Sequence, residues 1–400
     1  MGNNSGFSEV WQGISAIGDD PRMVLMWVIA GALFYIGIAR KKEPLLLIPV
    51  AMGILLSNLP LDVLTGSGGN GAPVGFLKLV HDTGLSTDVL PLLIFLGLGA
   101  AVDFEPMLSN PKTLLLGTGA QLGIFVAFLG AIGLGMLSIF EFDLTDAAAI
   151  GIMGGADGPT TIFVGTRMHQ IAQEYISSNA VSIVGATAVA TYTYMALVPI
   201  LQPPLIRLIT TQKERRIRMT YPSKPVSRRT KLLFPIITTV VVGVVAFDAI
   251  GLIGMLMLGN LIKESGVVPR LTAGVDNLMN MVIVLLGLAV GSTMPAAVFL
   301  KPETLAIFVL GLLAFMVSTV AGVMLAKLMN VFSKTPINPM IGAAGVSAVP
   351  MSARVVQDMG RKEDPQNFLL MHAMGPNVAG VIGTATVAGA LIAMVPTMLT

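Results

Sequence analysis

The sequence predicts an all-α polytopic membrane protein with about ten to twelve transmembrane or re-entrant helices, an inverted internal repeat and two broken-helix segments. The first supporting observation is composition: of 400 residues, 54% are hydrophobic and 12% are charged, with a mean hydropathy of +0.82. A water-soluble surface needs roughly twice that share of charge. The second is that apolar runs continue for about 20 residues, without the alternating polarity of membrane β-strands. The third is a repeated pattern of glycine and proline.

The apolar runs define eleven candidate segments, several of them too long or too broken to be one clean crossing. They cover residues 23–39, 45–63, 89–102, 113–137, 147–165, 180–209, 232–262, 281–290, 305–328, 340–354 and 368–399. We expect five regions: N-terminal spans and a surface segment (1–88), a first repeat (89–210), a basic loop (211–231), connecting spans (232–280) and a second repeat (281–400).

Charge and motifs exclude several functional classes. The formal net charge is only +2, so nucleic acid is not an expected partner. The chain has no cysteine, which excludes disulfides and thiolate metal sites. Its three histidines lack HExxH spacing, and no GxxxxGK[ST] motif for ATP occurs. Energy for any transport must therefore come from another source.

Orientation is predicted by one strongly basic stretch. Nine of the 24 Lys and Arg residues lie between Arg207 and Lys231, against a single acid, Glu214. Such loops stay in the cytoplasm, so we expect loop 207–231 to be cytoplasmic in a multi-pass protein of the inner (cytoplasmic) membrane. The charges either determine topology alone or also dock an acidic partner surface.

An internal repeat relates the two halves. The segment Leu96–Thr113 is similar to Leu286–Thr304, and each is followed by a long apolar span and a glycine-interrupted segment. These segments are IMGGADGPTT and MIGAAGVSAVP, about 190 residues apart. We count five spans between the two copies, an odd number, which predicts opposite topology. In secondary transporters, paired interruptions of this kind mark ion sites near the bilayer midplane.

The interrupted segments carry the candidate site residues. Asp157 is a carboxylate among glycines at predicted membrane depth, where its burial requires a compensating cation or donor. Glycine backbone carbonyls could complete an oxygen shell around a monovalent cation. We predict that the two segments meet near mid-membrane, with Asp157 on one side and Asn338 or Ser347 on the other. Glycines 375, 380 and 383 predict close packing of the last helix against this site.

Two residue types keep several interpretations. Arg354 could pair with Asp157, bind an anionic substrate, or extend to the interface from a helix end. Tyr192 and Tyr194 are typical of interfacial aromatic belts, although either could also donate a proton.

Three motifs together resemble a known family. GGADGPTT, NPMIGAAGVSAVPMSARV and HAMGPNVAGVIGTA are similar to the β-subunits of the biotin-dependent, sodium-pumping decarboxylases, which act on oxaloacetate, methylmalonyl-CoA or glutaconyl-CoA. The resemblance extends from about Pro91 to the C-terminus, and it implies a transporter of inverted repeats that works by elevator-like movement. The first 80 residues carry no motif of this family.

The resemblance also implies site residues. Asp157, Asn338, Gly342 and Ser347 match sodium-site positions, while Ser347, Tyr194 and Arg354 match positions for ion, proton or carboxyl handling, with Arg354 the expected contact for carboxybiotin. The stretch 165–181 between the aspartate motif and the tyrosine helix is longer than in the family pattern. The alignment of Tyr194 is therefore less secure than that of Asp157.

The implied activity is that of a carboxybiotin decarboxylase subunit. It would couple decarboxylation to sodium export with proton uptake. The chain lacks an MKM biotinylation motif, so a biotin carrier and carboxyltransferase partner must supply the carboxybiotin. The resemblance further implies a small membrane subunit. The alternative is a cation/proton or anion secondary transporter without decarboxylase activity. The sequence leaves open which acid or CoA ester is decarboxylated, how many sodium sites there are, and whether the chain forms homo-oligomers.

Overall fold

The fold is described by a computed structural model of the 400-residue chain. It describes residues 11, 15–18, 20–60, 64, 66, 74–220, 225–267, 269–333 and 335–400. Much of the predicted N-terminal surface segment and Lys224 of the basic loop lie outside these residues. Every regular element in the described part is helical, which confirms the predicted all-α class.

Between residues 20 and 210, the described part of the first half contains ten α-helices. They are α1 (Arg22–Ile38), α2 (Pro44–Ser57), α3 (Phe76–Val80), α4 (Val89–Ala101), α5 (Glu105–Ser109), α6 (Leu114–Ala120), α7 (Leu122–Met136), α8 (Leu144–Gly151), α9 (Gly158–Tyr175) and α10 (Val184–Ile209).

The second half contains eight. They are α11 (Gln212–Arg215), α12 (Arg228–Val245), α13 (Ile250–Ser265), α14 (Pro269–Ser292), α15 (Ala296–Phe299), α16 (Pro302–Phe332), α17 (Met351–Glu363) and α18 (Leu370–Leu399).

Five helices of the described residues are long and apolar enough to cross a membrane: Pro111–Met136, which joins α6 and α7, and then α10, α14, α16 and α18. A sixth span is a bent pair, in which Phe76–Leu85 meets α4 at 63°. The shorter α12 exposes nearly all of its apolar surface, as Val244 at 79% illustrates. Such a surface is stable against lipid and not in water. The polytopic membrane architecture is thus confirmed.

Three candidate segments are not single crossings, as expected for segments that are too long or too broken. Residues 232–262 form two helices, α12 and α13, joined by a turn at Phe247–Ala249 that contains the charged Asp248. Residues 147–165 and 340–354 each turn back within the protein and form a hairpin.

Hairpin 1 consists of α8, a 3₁₀ turn and α9. Asp143 starts it with a capping box, in which its side chain accepts from the Asp146 backbone N–H at 2.8 Å. The chain reverses at Ala156, whose φ of 54° is left-handed. Asp157 then caps α9, with its side chain accepting from the Thr160 backbone N–H.

Hairpin 2 consists of a buried 3₁₀ arm, Pro339–Gly345, and the returning helix α17. Asn338 caps the arm by accepting a hydrogen bond from the Met340 backbone N–H at 3.1 Å. All seven residues of the arm are buried, within an apolar cluster that includes Phe315 and Val323 of α16.

The two hairpins open at opposite ends of α10. The mouth of hairpin 1, at Asp143, borders a cavity that also includes Ile183, just before α10 begins. The mouth of hairpin 2, at Asn338, is hydrogen-bonded to Arg215 and Ile217, just after α10 ends. Because α10 has 26 residues, it spans about 39 Å. The hairpins therefore enter from opposite sides, as an inverted repeat requires.

Hairpin 2 depends on a close approach between two glycines, which generates our first prediction. A Cβ at Gly342 would lie 2.1 Å from the backbone oxygen of Gly322 in α16. Since the backbone must then shift, Gly342→Ala should destabilise the protein by about 1–3 kcal/mol. Thermal unfolding of the purified protein in detergent measures this. The matched control is Gly133→Ala, where nothing lies within 4 Å. Equal melting temperatures for the two variants would contradict the close approach.

The arrangement also predicts the sidedness of each mouth. Thr220 and Glu141 are exposed and lie towards opposite ends of α10. In this cysteine-free chain, Thr220→Cys should react with a membrane-impermeant thiol reagent only in inverted membrane vesicles, and Glu141→Cys only in right-side-out vesicles. The reverse pattern would invert our orientation of the basic loop, and labelling of both residues from one side would contradict the inverted repeat.

Candidate cation site between the hairpin tips

The tips of the two hairpins, residues 154–157 in hairpin 1 and 346–349 in hairpin 2, are in contact. The Ser347 backbone N–H donates to the Gly155 carbonyl oxygen at 2.8 Å. Gly155 also lies against Thr384 of α18, because a Cβ there would be 2.5 Å from the Thr384 methyl carbon. The predicted meeting of the two broken segments is therefore present in the structure, at a point that both re-entrant arms reach from opposite sides.

A chain of hydroxyl and amide groups lies behind this contact. The Ser347 and Thr384 hydroxyls are 2.7 Å apart, and the Thr384 hydroxyl donates to Gln121 Oε1 at 3.0 Å. Ser347 is therefore the donor to Thr384. Gln121 lies between α6 and α7, and its Nε2 donates to the Gly117 carbonyl at 3.0 Å. Both repeats thus contribute to one polar network inside an apolar bundle.

Side chains from the crossing helices hold the backbone of hairpin 2 where its arm meets its tip. Asn377 Nδ2 donates to the carbonyl oxygens of Ala344 at 3.0 Å and Val346 at 2.7 Å. Gln202 Nε2 donates to the Ala343 carbonyl at 3.0 Å. Backbone carbonyls at membrane depth cannot be left unpaired without a cost of several kcal/mol, so these amides stabilise the non-helical backbone.

Hairpin 1 is held in the same way by α16. The Ser318 hydroxyl donates to the Gly154 carbonyl at 2.7 Å. Gly154 is itself packed on the backbone of α7, since a Cβ there would lie 2.6 Å from the Gly123 carbonyl carbon. The tip therefore has no room for larger side chains.

Asp157 is the only carboxylate in either tip segment, and it is 3% exposed. Its Oδ1 accepts from the Thr160 backbone N–H at 3.2 Å, while its Oδ2 has no hydrogen-bond partner among the described residues. Asn377 Oδ1 and Gln202 Oε1 are also buried without a partner in that part of the chain. Unpaired buried acceptors are costly, and a bound cation would satisfy such oxygens.

Tyr192, and not Tyr194, lies next to the aspartate. A Cβ on Gly158 would be 2.3 Å from the Tyr192 hydroxyl, so this ring is packed against the residue that follows Asp157. The Tyr194 hydroxyl instead donates to the Phe308 carbonyl of α16, and the two rings are edge-on at 6.3 Å. The two tyrosines therefore face different helices.

Asn338 and Gly342 lie away from the tip. The seven-residue 3₁₀ arm between Asn338 and the tip is about 14 Å long. Asn338 Nδ2 donates to the carbonyls of Arg215 at 2.8 Å and Ile217 at 2.9 Å, which fastens the basic segment to the mouth of hairpin 2. Gly342 lies half-way along the arm, against α16.

Ion pairs close the mouth of hairpin 2. The Arg215 guanidinium bonds Glu363 at 2.8 Å, and Arg218 bonds Asp364 at 2.6 Å. These hydrogen bonds lower the pKa of both carboxyl groups. Arg354, in the first turn of α17, is exposed and forms no ion pair within the described residues.

Sequence reasoning missed Gln121, Asn377 and Thr384 as site residues. Each is a single polar residue inside an apolar span and is at most 4% exposed. The available signal was that polar residues within membrane helices almost always face the protein interior or a cavity. The predicted close packing of the last helix is confirmed, because a Cβ on Gly380 would lie 2.1 Å from the Gly345 carbonyl oxygen.

Comparison with known proteins gives a consistent result. Residues 22–395 match the family described as "Na+-transporting oxaloacetate decarboxylase beta subunit". The chain is 48% identical over 390 residues to methylmalonyl-CoA decarboxylase subunit beta of Propionigenium modestum, covering 93% of this chain and 94% of that protein. It is 44% identical over 437 aligned positions to the oxaloacetate decarboxylase beta chain of Klebsiella pneumoniae, covering 97% and 98%.

The hydroxyl pair at the tips generates a prediction about coupling. Ser347→Ala and Thr384→Val should each lower the thermal stability of the purified protein, because each removes one end of the 2.7 Å hydrogen bond. The double variant should lose less than the sum, by about 0.5–1.5 kcal/mol. Ser318→Ala, which removes a different tip hydrogen bond, serves as the control partner. Additive effects of Ser347→Ala and Thr384→Val would show that the two hydroxyls act separately.

Proposed function

This chain belongs to the family of Na⁺-transporting oxaloacetate decarboxylase beta subunits, and from that premise we propose that it carries sodium across the membrane by using the free energy of a decarboxylation. The one structural observation that supports this most is the buried Asp157 carboxylate, with an unpaired oxygen, where the two hairpin tips meet.

Sodium would be held at the tip contact. Asp157 supplies the charge, and the Ser347 and Thr384 hydroxyls, the Asn377 side-chain oxygen and tip carbonyls supply neutral oxygens. This set suits a hard monovalent cation, because one carboxylate balances one positive charge. Asn338 and Gly342 would affect the sodium site indirectly. They would do so by determining the structure of hairpin 2 and fixing its position. Their positions at the mouth and in the arm support that role better than direct coordination.

The chemical step would be the decarboxylation of carboxybiotin delivered by a biotin carrier of a partner subunit. Loss of CO₂ breaks the N–C bond and leaves a ureido nitrogen that takes up a proton. Arg354 would bind the carboxylate, and its exposed guanidinium, which forms no ion pair within the described residues, supports this role. Tyr192, packed beside Asp157, is the better-placed hydroxyl for proton transfer, whereas Tyr194 would position α16 through Phe308.

Transport requires that the site open alternately to the two sides. The hairpins provide this, since their mouths lie at opposite ends of α10. A cavity of about 550 Å³ lies at the mouth of hairpin 1, lined by Asp143, Asp146 and Glu303 among others. We assign this cavity to the side of sodium release and proton entry. The hairpins would move with α10, α16 and α18, as in an elevator mechanism.

The cellular setting follows from the same proposal. The chain would be a multi-pass subunit of an inner-membrane complex, with loop 207–231 in the cytoplasm and next to the biotin carrier. A carboxyltransferase subunit and a small membrane subunit would complete that complex. The relatives include beta subunits of decarboxylases for oxaloacetate and for methylmalonyl-CoA, so the acid is set by the partner subunit.

The central prediction concerns Asp157. Asp157→Asn keeps the size of the side chain and an oxygen that can cap α9, but it removes the charge that offsets cation dehydration. We expect the purified complex to lose sodium-stimulated decarboxylation while its elution volume and melting temperature stay close to those of the unaltered protein. Asp276→Asn, an exposed carboxylate of α14, should retain full activity.

Two outcomes would count against the proposal. Normal sodium stimulation in Asp157→Asn would remove this residue from the ion site. Sodium transport by the unaltered complex without decarboxylation of carboxybiotin would instead identify a secondary transporter.

A further inference from the structure

Helix α17 has two chemically different faces. Its packed face carries Ser352, Ala353, Val355, Val356, Met359 and Gly360, all buried. Its other face carries Arg354, Asp358 and Arg361, all exposed, with the exposed Lys362 beside Arg361 at the end of the helix. Spacings of four and three residues place these three side chains in one row along the helix.

This row runs from the hairpin tip to the mouth. Arg354 lies one turn after the tip segment, and Arg361 lies next to the ion pairs at the mouth. Their separation of seven positions spans about 10 Å along the helix. Exposed charges along this length cannot face hydrocarbon, where each would cost several kcal/mol. The row must therefore face water.

The three charged side chains of this row also lack ion-pair partners within the described residues. At the same end of the molecule, Arg215 and Arg218 are neutralised by Glu363 and Asp364. By contrast, within the part of the chain that the structure describes, Arg354, Asp358 and Arg361 form no ion pair within 4.0 Å. Two guanidinium groups and one carboxylate leave the row with a net positive charge, which attracts anions.

We propose that this face of α17 lines a water-filled path for the anionic carboxylated head of biotin, with Arg361 as its outer guiding residue and Arg354 at its inner end. The inference rests on the proposed function, and it adds the path by which carboxybiotin would reach the site. Arg361 acts on the approach of the anion, because its distance from the tip is too large for contact with the reacting bond. It is therefore a positioning residue and not a catalytic one.

A simpler explanation exists for a cation in this place. Arginine in the last turn of a helix complements the helix dipole, and basic residues accumulate on the cytoplasmic side. Neither effect requires the row to be continuous with water as far as Arg354, and a generally basic surface would favour an anion at Asp358 whether or not Arg361 is present. These two properties separate the explanations.

The absence of cysteine makes the test direct. Arg354→Cys and Asp358→Cys are each introduced as the single cysteine of the chain, in the full complex in inverted membrane vesicles. Both should react with a membrane-impermeant methanethiosulfonate reagent, while Val356→Cys, 0% exposed on the packed face, should not. The negatively charged sulfonate reagent should react faster at residue 358 than the positively charged trimethylammonium reagent.

Arg361→Gln should then lower that rate ratio about tenfold at low ionic strength, because one charge at 5–7 Å in water acts with opposite sign on the two reagents. Lys213→Gln, an exposed cation of α11 at the same end of the molecule, should leave the ratio unchanged. In the unlabelled complex, Arg361→Gln should raise KM for the carboxylated biotin carrier and leave kcat and the sodium dependence intact.

The proposal is overturned if the Arg354→Cys variant stays unreactive in a folded complex, because the path would not reach the tip. It is also overturned if Arg361→Gln does not change the rate ratio at residue 358. It is overturned as well if Lys213→Gln changes this ratio equally, because the electrostatic potential at residue 358 would then come from the whole basic surface. These labelling results do not depend on activity, so they can fail while sodium-dependent decarboxylation, the test of the proposed function, still succeeds.

Discussion

The structure depends on one constraint: non-helical backbone at membrane depth must find hydrogen-bond partners within the protein. Both hairpin tips carry such backbone, and side chains from three crossing helices satisfy it, namely Gln202 of α10, Ser318 of α16 and Asn377 of α18. Glycines bring these helices close enough to reach the carbonyls, as at Gly342 and Gly380. The glycines and the buried amides thus serve the same requirement, which is the pairing of backbone groups at membrane depth. The polar junction between the tips results from meeting that requirement.

The sequence was sufficient for features that are local. Clustered glycine and proline identified both broken segments, and the repeat placed them in oppositely directed halves. It could not identify Gln121 or Thr384 as members of the junction, because the rule that polar residues in membrane helices face the interior does not say which interior group each one contacts. It also could not separate the tyrosines. Two residues apart on a helix, Tyr192 and Tyr194 point about 200° from each other, and only packing decides which one meets Asp157.

The position of Asn338 shows what a short motif leaves undetermined. Asn338 belongs to the same short motif as Ser347, and the sequence predicts that both residues serve one ion site. The intervening 3₁₀ arm rises about 2 Å per residue, which carries Asn338 to the mouth of the hairpin. There its amide joins the basic segment to the arm. A substitution at Asn338 could therefore disturb the ion site from a distance, through the position of hairpin 2.

The two tips are unequal in charge, and this inequality bears on coupling. Hairpin 1 has Asp157, whereas hairpin 2 has no carboxylate between residues 340 and 350. With one carboxylate, the junction is neutral when it holds one sodium ion or one proton and negative when it holds neither. Moving a negative junction through a medium of low dielectric constant is costly, so the loaded and the protonated forms would move most readily. Under the proposed function, exchange of sodium for a proton then follows from the number of charges at the tips, and the decarboxylation needs only to consume the proton that returns.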